Sequence, residues 1–230
     1  MSDIEIKGPD GSFGAYAAVP QATPAPTLIV IQEIFGVNDV MRELCDEYAK
    51  RGYLAICPDL FWRIEPNIQL TDKTDAEWQR AFDLMGKFDV DKGVEDLKAT
   101  LQHARGMDAC TGKGGSVGYC LGGKMSFLMA TRSDADCNVS YYGVGLDELL
   151  GEAKNISRPL LMHMASEDQF VPKDAQAKIR EGLKEHEQVT IHVYEGNNHA
   201  FAREGGEHYD AKAAELANKR TIDFLGNHLS

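Results

Sequence analysis

A cysteine at a tight turn is the residue of this chain whose setting most clearly suggests chemistry. Cys120 lies in the segment GYCLGG at positions 118–123, where a strand-like run ends and a helical pattern begins. This is the spacing of a nucleophile elbow, in which small residues let the chain turn sharply and hold the central side chain clear of the sheet edge. The same turn directs the backbone N–H of Leu121 toward an oxyanion formed there. The pattern predicts a nucleophile at Cys120 with Leu121 in the oxyanion hole, against the alternative of an inert buried cysteine.

A base and an orienting acid follow Cys120 in the chain order expected for hydrolases with such an elbow, in which the acid precedes the histidine. His199 lies in the polar turn GNNHAF directly after one strand pattern, and Asp168 lies in ASEDQFVP after another. Loops at the carboxyl ends of parallel strands are where such sheets place their sites. Spacing alone separates Asp168 poorly from Glu167, and Asp168 is favoured because aspartate is the usual orienter. The sequence therefore predicts His199 as the base and Asp168 as its partner.

The elements that must position these residues alternate between strand and helix patterns. An antiparallel hairpin is expected over residues 4–19, turning at residues 8–11. Further strands are expected at 27–31, 53–57, 114–119, 138–142, 159–164 and 189–194, and helices at 39–50, 74–87, 91–105, 122–131, 172–183 and 209–228. This alternation predicts an α/β fold with a mostly parallel central sheet and helices on both faces.

Length and composition favour one domain spanning residues 1–230. The formal net charge of −12 argues against nucleic acid as a partner. The sequence contains no run of 18 apolar residues, so we expect no membrane span. The first residues lack the basic and apolar regions of a secretory signal, and the five cysteines include no CxxC pair that would indicate zinc or thioredoxin chemistry. We therefore expect a cytoplasmic protein with reduced thiols, no metal and no organic cofactor, present as a monomer or a weak homo-oligomer.

Four segments together resemble the dienelactone hydrolase (carboxymethylenebutenolidase) family. They are GYCLGG at 118–123, YYGVG at 141–145, DQFVP at 168–172 and HAFAR at 199–203. The resemblance runs from Gly11 to the last predicted helix. It implies an α/β-hydrolase fold and a catalytic triad formed by Cys120, His199 and Asp168. It also implies hydrolysis of a lactone or ester through a thioester, without a cofactor.

The segment QEIFG at positions 32–36 acquires a role from the same resemblance. Glu33 matches the carboxylate that, in relatives, holds the thiol until the substrate arrives. Ile34 matches the residue whose backbone N–H is the second oxyanion donor. Glu33 also ends a predicted strand, at the sheet edge where Cys120 is expected. Without the resemblance, Glu33 would be interpreted as an ordinary exposed carboxylate at a strand end.

The resemblance also bears on substrate recognition. The family binds a substrate carboxylate with two arginines, one of which matches Arg203, just past His199. In a chain of net charge −12, such a local cation would offset the overall field. The other arginine falls at Trp78, and a family tyrosine falls at Phe82, one helical turn later. These departures predict a substrate other than a simple dienelactone, unless the two rings only pack their helix into the core.

Three other functions stay open on the sequence alone. The chain could be a carboxylesterase with a different substrate range, or a thiol-based detoxification protein that uses Cys120 without acyl transfer. The second possibility lacks a resolving CxxC partner. The third is a binding module that has kept the scaffold and lost the chemistry. The favoured interpretation requires only a small-molecule ester or lactone as partner.

Overall fold

The computed structural model describes residues 2–230, which fall into two compact units, one ending at Gly115 and one running from Ser116 to Ser230. The prediction of a single domain stays a prediction. Strands and helices alternate in both units, as the sequence pattern predicts.

The first unit combines an antiparallel hairpin with parallel strands and three helices. Its elements are β1 (Ser2–Gly8), β2 (Gly11–Ala18), β3 (Ala25–Ile31), α1 (Asp39–Lys50), β4 (Leu54–Pro58), α2 (Asp75–Lys87) and α3 (Val90–Arg105). The strand order is β1-β2-β4-β3, with β3 and β4 parallel and the other two pairs antiparallel. The hairpin closes where Gly8 pairs with Gly11, as predicted. Helix α1 begins where expected because the side chain of Asn38 accepts the N–H of Met41 at 3.2 Å.

Strand β5 (Cys110–Tyr119) runs from the first unit into the second. The second unit continues with α4 (Leu121–Arg132), β6 (Asn138–Tyr141), β7 (Leu160–Ala165), α5 (Lys173–Leu183), β8 (Val189–Tyr194) and α6 (Ala211–Leu229). The strands follow the order β5-β6-β7-β8, and all three pairs are parallel. Two short 3₁₀ helices, Leu146–Glu148 and Leu150–Asn155, were not predicted.

The burial of the strands shows that both faces of the sheet are covered. Every residue of β4, β6 and β7 is buried, although successive side chains of a strand point to opposite faces. In the second unit, Tyr119 pairs with Tyr141, and Ala165 pairs with Tyr194. The residues that follow β5, β6, β7 and β8 therefore emerge at one edge. This edge carries the predicted nucleophile, acid and base.

Candidate active site

Cys120 occupies a strained turn between β5 and α4. Its backbone has φ 57° and ψ −114°, a conformation that residues with a Cβ atom rarely adopt. Close backbone packing maintains the turn, because a Cβ on Gly118 would lie 1.9 Å from the carbonyl oxygen of Gly122. A Cβ on Gly123 would lie 2.5 Å from the carbonyl oxygen of Tyr141. The glycines thus have the role that the sequence pattern suggested, and the strain is concentrated at the predicted nucleophile.

The backbone around Cys120 is held from both sides. Its N–H donates to the carbonyl of Tyr141 at 3.1 Å, and its own carbonyl accepts the N–H of Lys124 at 3.2 Å. No side chain caps the start of α4. Leu121 belongs to the first turn of this helix, where N–H groups have no partner within the helix and the helix dipole is positive. An anion formed next to Cys120 would be stabilised at this position.

The imidazole of His199 is held by the carboxylate of Asp168. Nδ1 of His199 lies 3.0 Å from Oδ1 and 2.9 Å from Oδ2 of Asp168, and both side chains are almost completely buried. The neighbouring Glu167 is exposed and pairs instead with Lys173, with Oε1 and Nζ 2.7 Å apart. The alternative left open by the sequence is thereby decided at the level of contact: Asp168, and not Glu167, contacts the histidine.

The second ring nitrogen of His199, Nε2, is buried, and within residues 2–230 no partner meets strict hydrogen-bond geometry with it. The side chain of Cys120 nevertheless interacts with the imidazole, and it does so on the Nε2 side because Asp168 occupies Nδ1. The rings of Phe170 and Tyr142 lie edge-on to the imidazole, with centroids at 4.8 and 5.1 Å. These ring contacts fix the plane of the imidazole. The Asp168 carboxylate favours a proton on Nδ1, the nitrogen that faces it.

The electrostatics of the pocket favour a protonated His199. Burial by itself would lower the pKa of the imidazole, but the negative charge of the Cys120 thiolate and the hydrogen bond to Asp168 outweigh it and raise the pKa to about 10. The same charges link the predicted nucleophile to the predicted base. A cysteine with a histidine as its adjacent base is the arrangement expected of an activated cysteine nucleophile, and this role of Cys120 stays a prediction.

Arg203 follows His199 in a compact turn. Its N–H donates to the carbonyl of Ala200 at 2.9 Å, and Ala200 has φ 61°, so the chain reverses direction tightly here. Phe201, between them, is fully buried, and its ring contacts those of Tyr142 and Tyr194. Arg203 itself is half-buried. The turn therefore holds a guanidinium within four residues of the histidine.

Glu33 and Ile34, in the first unit, lie just after β3 and are both buried. The adjacent Gln32 accepts the N–H of Leu60 at 3.0 Å and donates to the carbonyl of Glu33 at 3.2 Å. Gly36 has φ 79°, and a Cβ at this position would lie 2.0 Å from the carbonyl oxygen of Ile68. The turn after β3 is thus tightly defined by its own side chains and by a glycine that cannot be replaced without movement.

Trp78 and Phe82 form a pair on α2, as their spacing predicts. Their ring centroids are 5.6 Å apart, and Trp78 also contacts the ring of Phe35 edge-on at 5.0 Å. The indole N–H of Trp78 donates to the carbonyl of Asp72 at 3.1 Å. Phe82 is 43% exposed, so simple burial in the core does not describe it. Whether these two rings contact a substrate stays a prediction.

Asn198 was not recognised from the sequence. It lies between the loops that follow β8 and β7, and its Oδ1 accepts the backbone N–H groups of both His199 and Gln169. An asparagine directly before a histidine in a turn is the available sequence signal, since asparagine often bonds nearby backbone groups. The partner loop could not be identified from that signal.

The structure also bears on metal binding and on membrane spanning. Among residues 2–230, no group of three or more His, Cys, Asp or Glu side chains could hold a metal ion. Within the same residues, no helix has the length and apolar character needed to cross a bilayer.

The family model described as "Dienelactone hydrolase family" matches residues 13–229. The chain belongs to the dienelactone hydrolase family. A protein of Azospirillum brasilense named "Putative carboxymethylenebutenolidase" is 54% identical over 232 residues, covering all of both chains. The carboxymethylenebutenolidase of Pseudomonas putida is 42% identical over 223 residues, covering 96% of this chain and 94% of its own length.

A solved structure supports the same assignment. The crystal structure named "Putative Dienelactone Hydrolase from Klebsiella pneumoniae subsp. pneumoniae MGH 78578" matches with a TM-score of 0.86 at 26% identity, covering 98% of this chain and 97% of that one. This member of the dienelactone hydrolase family is therefore a hydrolase with an α/β-hydrolase fold, as the sequence predicted.

Proposed function

We propose that this dienelactone hydrolase family member hydrolyses a lactone or ester through a thioester on Cys120, with His199 and Asp168 completing the triad. The observation that carries the proposal is the contact between His199 and Asp168, beside a cysteine held at a strained strand–helix turn. The raised pKa of His199 supports the assignment, because Cys120 and Asp168 are the two groups that raise it. The family assignment supports a hydrolase in general.

In the first half of the reaction, the Cys120 thiolate attacks the carbonyl carbon of the substrate. The negative charge moves to the carbonyl oxygen, where the N–H of Leu121 at the start of α4 donates to it. A donor of this kind contributes about 3 kcal/mol to transition-state stabilisation. The carbon–oxygen bond to the leaving alcohol then breaks, and His199 gives its proton to that alcohol. The product is a thioester on Cys120 and a neutral imidazole.

In the second half, water replaces the alcohol. His199 takes a proton from the water as the oxygen attacks the thioester carbonyl, and the carbon–sulfur bond breaks to release a carboxylic acid. Cys120 returns as a thiolate beside a protonated His199. Asp168 supports both halves, since its carboxylate stabilises the imidazolium and fixes Nδ1 as the inner nitrogen. These steps require protein groups and water.

A carboxylate-bearing substrate fits this site best, with the guanidinium of Arg203 binding the carboxylate. The guanidinium follows His199 by four residues and is held by the turn at Ala200. It provides a local cation in a chain whose formal net charge is −12. A guanidinium can bind a carboxylate through two parallel hydrogen bonds, which orients the substrate as well as attracting it.

The remaining roles rest on the family resemblance. Glu33 is proposed to restrain the resting thiol, and the N–H of Ile34 is proposed as the second oxyanion donor. Trp78 and Phe82, which replace a family arginine and tyrosine, are proposed to favour a substrate with an apolar part in place of a simple dienelactone. Each of these roles can be tested by a substitution at one position.

The proposal is tested by Cys120→Ala with Cys110→Ala as control. Cys110 is the other cysteine with some exposure; the remaining three are fully buried. Hydrolysis of lactones and p-nitrophenyl esters should be lost in Cys120→Ala and unchanged in Cys110→Ala, while circular dichroism shows both folded. Retention of more than about a tenth of the wild-type kcat, a loss below about 1.4 kcal/mol, would refute the nucleophile assignment.

A further inference from the structure

Asn198 joins the two loops that carry the catalytic histidine and its carboxylate. Its Oδ1 accepts the backbone N–H of His199 at 2.7 Å and the backbone N–H of Gln169 at 3.0 Å. One oxygen atom therefore contacts the residue that carries the base and the residue after the acid. We propose that Asn198 is a positioning residue, which sets the orientation of His199 relative to Asp168. The inference rests on the proposed function, because it concerns the same catalytic pair.

The bonds around Asp168 show why this contact matters. On one side of Asp168, the N–H of Glu167 donates to the backbone carbonyl of Asn197 at 2.8 Å. On the other side, the N–H of Gln169 donates to the Asn198 side chain. The residues on both sides of Asp168 are thus hydrogen-bonded to the loop that carries His199. Of these two hydrogen bonds, only the second depends on a side chain, so a substitution at Asn198 removes that bond and leaves the first in place.

The amide of Asn198 can adopt only one orientation in this network. Two backbone N–H donors converge on one of its terminal atoms, and only the oxygen can accept from both. The amide nitrogen then faces Nε2 of His208 at 3.4 Å, which must be the accepting nitrogen of that ring. The oxygen is consequently fixed toward the two loops. An aspartate at this position would keep the acceptor, whereas an alanine would not.

Loss of this acceptor should affect the chemical step more than substrate binding. The contact lies on the backbone side of His199, away from Nε2, and the distances of 2.9 and 3.0 Å between His199 and Asp168 depend on how the two loops meet. Small misplacement of catalytic groups, of about 1 Å, costs rate by as much as about 10²-fold. A purely structural role would lower stability and leave kcat and KM of the folded protein unchanged.

The experiment compares Asn198→Ala, Asn198→Asp and Asn197→Ala in the full-length protein. Asn197 is the matched control, since among residues 2–230 its side chain donates to the nearby carbonyl of Glu195 at 3.2 Å and to no other group, and its backbone bonds survive substitution. For p-nitrophenyl ester hydrolysis, we expect kcat to fall at least about tenfold in Asn198→Ala with KM within about threefold of wild type. Asn197→Ala should match wild type, and Asn198→Asp should keep at least a third of the activity.

Several results would overturn the inference. They are an Asn198→Ala variant with kcat within twofold of wild type, a loss confined to KM, or an equal loss in Asn197→Ala. If Asn198→Ala does not fold, Asn198→Asp decides: near-wild-type kcat supports the acceptor role, and a tenfold loss overturns it.

A second readout separates this inference from the proposed function. The proton on Nδ1 of His199, bonded to Asp168, gives a downfield NMR signal that requires no turnover. The signal should shift or broaden in Asn198→Ala and stay unchanged in Asn197→Ala. If Cys120→Ala retains activity, the proposed nucleophile fails while this signal still tests the positioning by Asn198. An unchanged signal in Asn198→Ala overturns the positioning role even when Cys120→Ala is inactive.

Discussion

Asparagine in place of Asp168 changes a buried charge while keeping the size of the side chain. In the wild type, both carboxylate oxygens lie within 3.0 Å of Nδ1 of His199, and the two side chains are only 2% and 6% exposed. Asparagine retains one oxygen but also presents an amide N–H₂ group. If that group faces Nδ1, the imidazole is forced into the wrong tautomer, with its proton on Nε2.

The magnitude follows from the type of bond that is lost. A hydrogen bond to a charged group contributes about 1.5–3 kcal/mol, and solvent screens it little at this degree of burial. Since about 1.36 kcal/mol corresponds to a tenfold change in rate, kcat for ester hydrolysis should fall about 10- to 150-fold. The pKa of His199 should also fall, because Asp168 is one of the groups that raise it.

The assay measures kcat and KM for a p-nitrophenyl ester between pH 5 and pH 10 in Asp168→Asn and in Glu167→Gln, with about twofold as the limit for an unchanged value. Glu167 is the matched control: it is the adjacent carboxylate, but it is exposed and paired with Lys173. The Glu167→Gln variant should have the kcat of the wild type. Retention of more than a third of the activity in Asp168→Asn, or an equal loss in Glu167→Gln, would refute this role of Asp168.

Four further predictions concern the strain, the charge and the specificity of the site. Cys120→Gly should be about 1 kcal/mol more stable than Cys120→Ala in urea unfolding, because φ 57° strains any residue with a Cβ; equal stabilities would contradict this. Cys120→Ser should lower the pKa of His199 from about 10, measured by NMR, and an unchanged pKa would refute the ion pair. Because the pKa of His199 is raised from 6.5 to about 10, protonation of His199 stabilises the fold fully below pH 6.5, and this stabilisation is lost as the pH rises toward 10. In Cys120→Ser, where this pKa is lower, the loss of stability should occur at lower pH. Arg203→Ala should cost about 1.5–3 kcal/mol in kcat/KM for a carboxylate-bearing lactone only, whereas equal losses for a neutral lactone would exclude the carboxylate contact. Glu33→Gln should speed labelling of Cys120 by iodoacetamide, because a carboxylate disfavours a nearby thiolate; an unchanged rate would argue against the restraint.

Most of the secondary structure could be predicted because local signals agree with the fold. Asn38 marks the start of α1, and the glycines at 8 and 11 mark the hairpin turn. The spacing of Trp78 and Phe82 predicts their contact. The 3₁₀ helices over 146–155 were missed, since such short segments carry no hydrophobic periodicity.

The candidate site was predictable to the level of which loops carry it. Cys120, His199 and Asp168 could be located because each follows a strand pattern at the same edge of the sheet. The choice between Asp168 and Glu167 depends on which carboxylate contacts His199: Asp168 does, whereas Glu167 pairs with Lys173. That contact and the two-loop bond of Asn198 arise from how loops meet in space, and spacing along the chain does not encode them.

The proposed thioester on Cys120 can be detected directly as a covalent acyl-enzyme. The wild-type protein is mixed with an activated ester, quenched with acid within milliseconds to seconds, and digested for mass spectrometry. We expect the peptide containing Cys120 to gain the mass of the acyl group in a burst that precedes steady-state turnover. The adduct should be absent in Cys120→Ala and should accumulate in His199→Ala only as slowly as the residual turnover. Steady hydrolysis with no acylation of Cys120 at any quench time, or acylation at another residue, would contradict a thioester mechanism on Cys120.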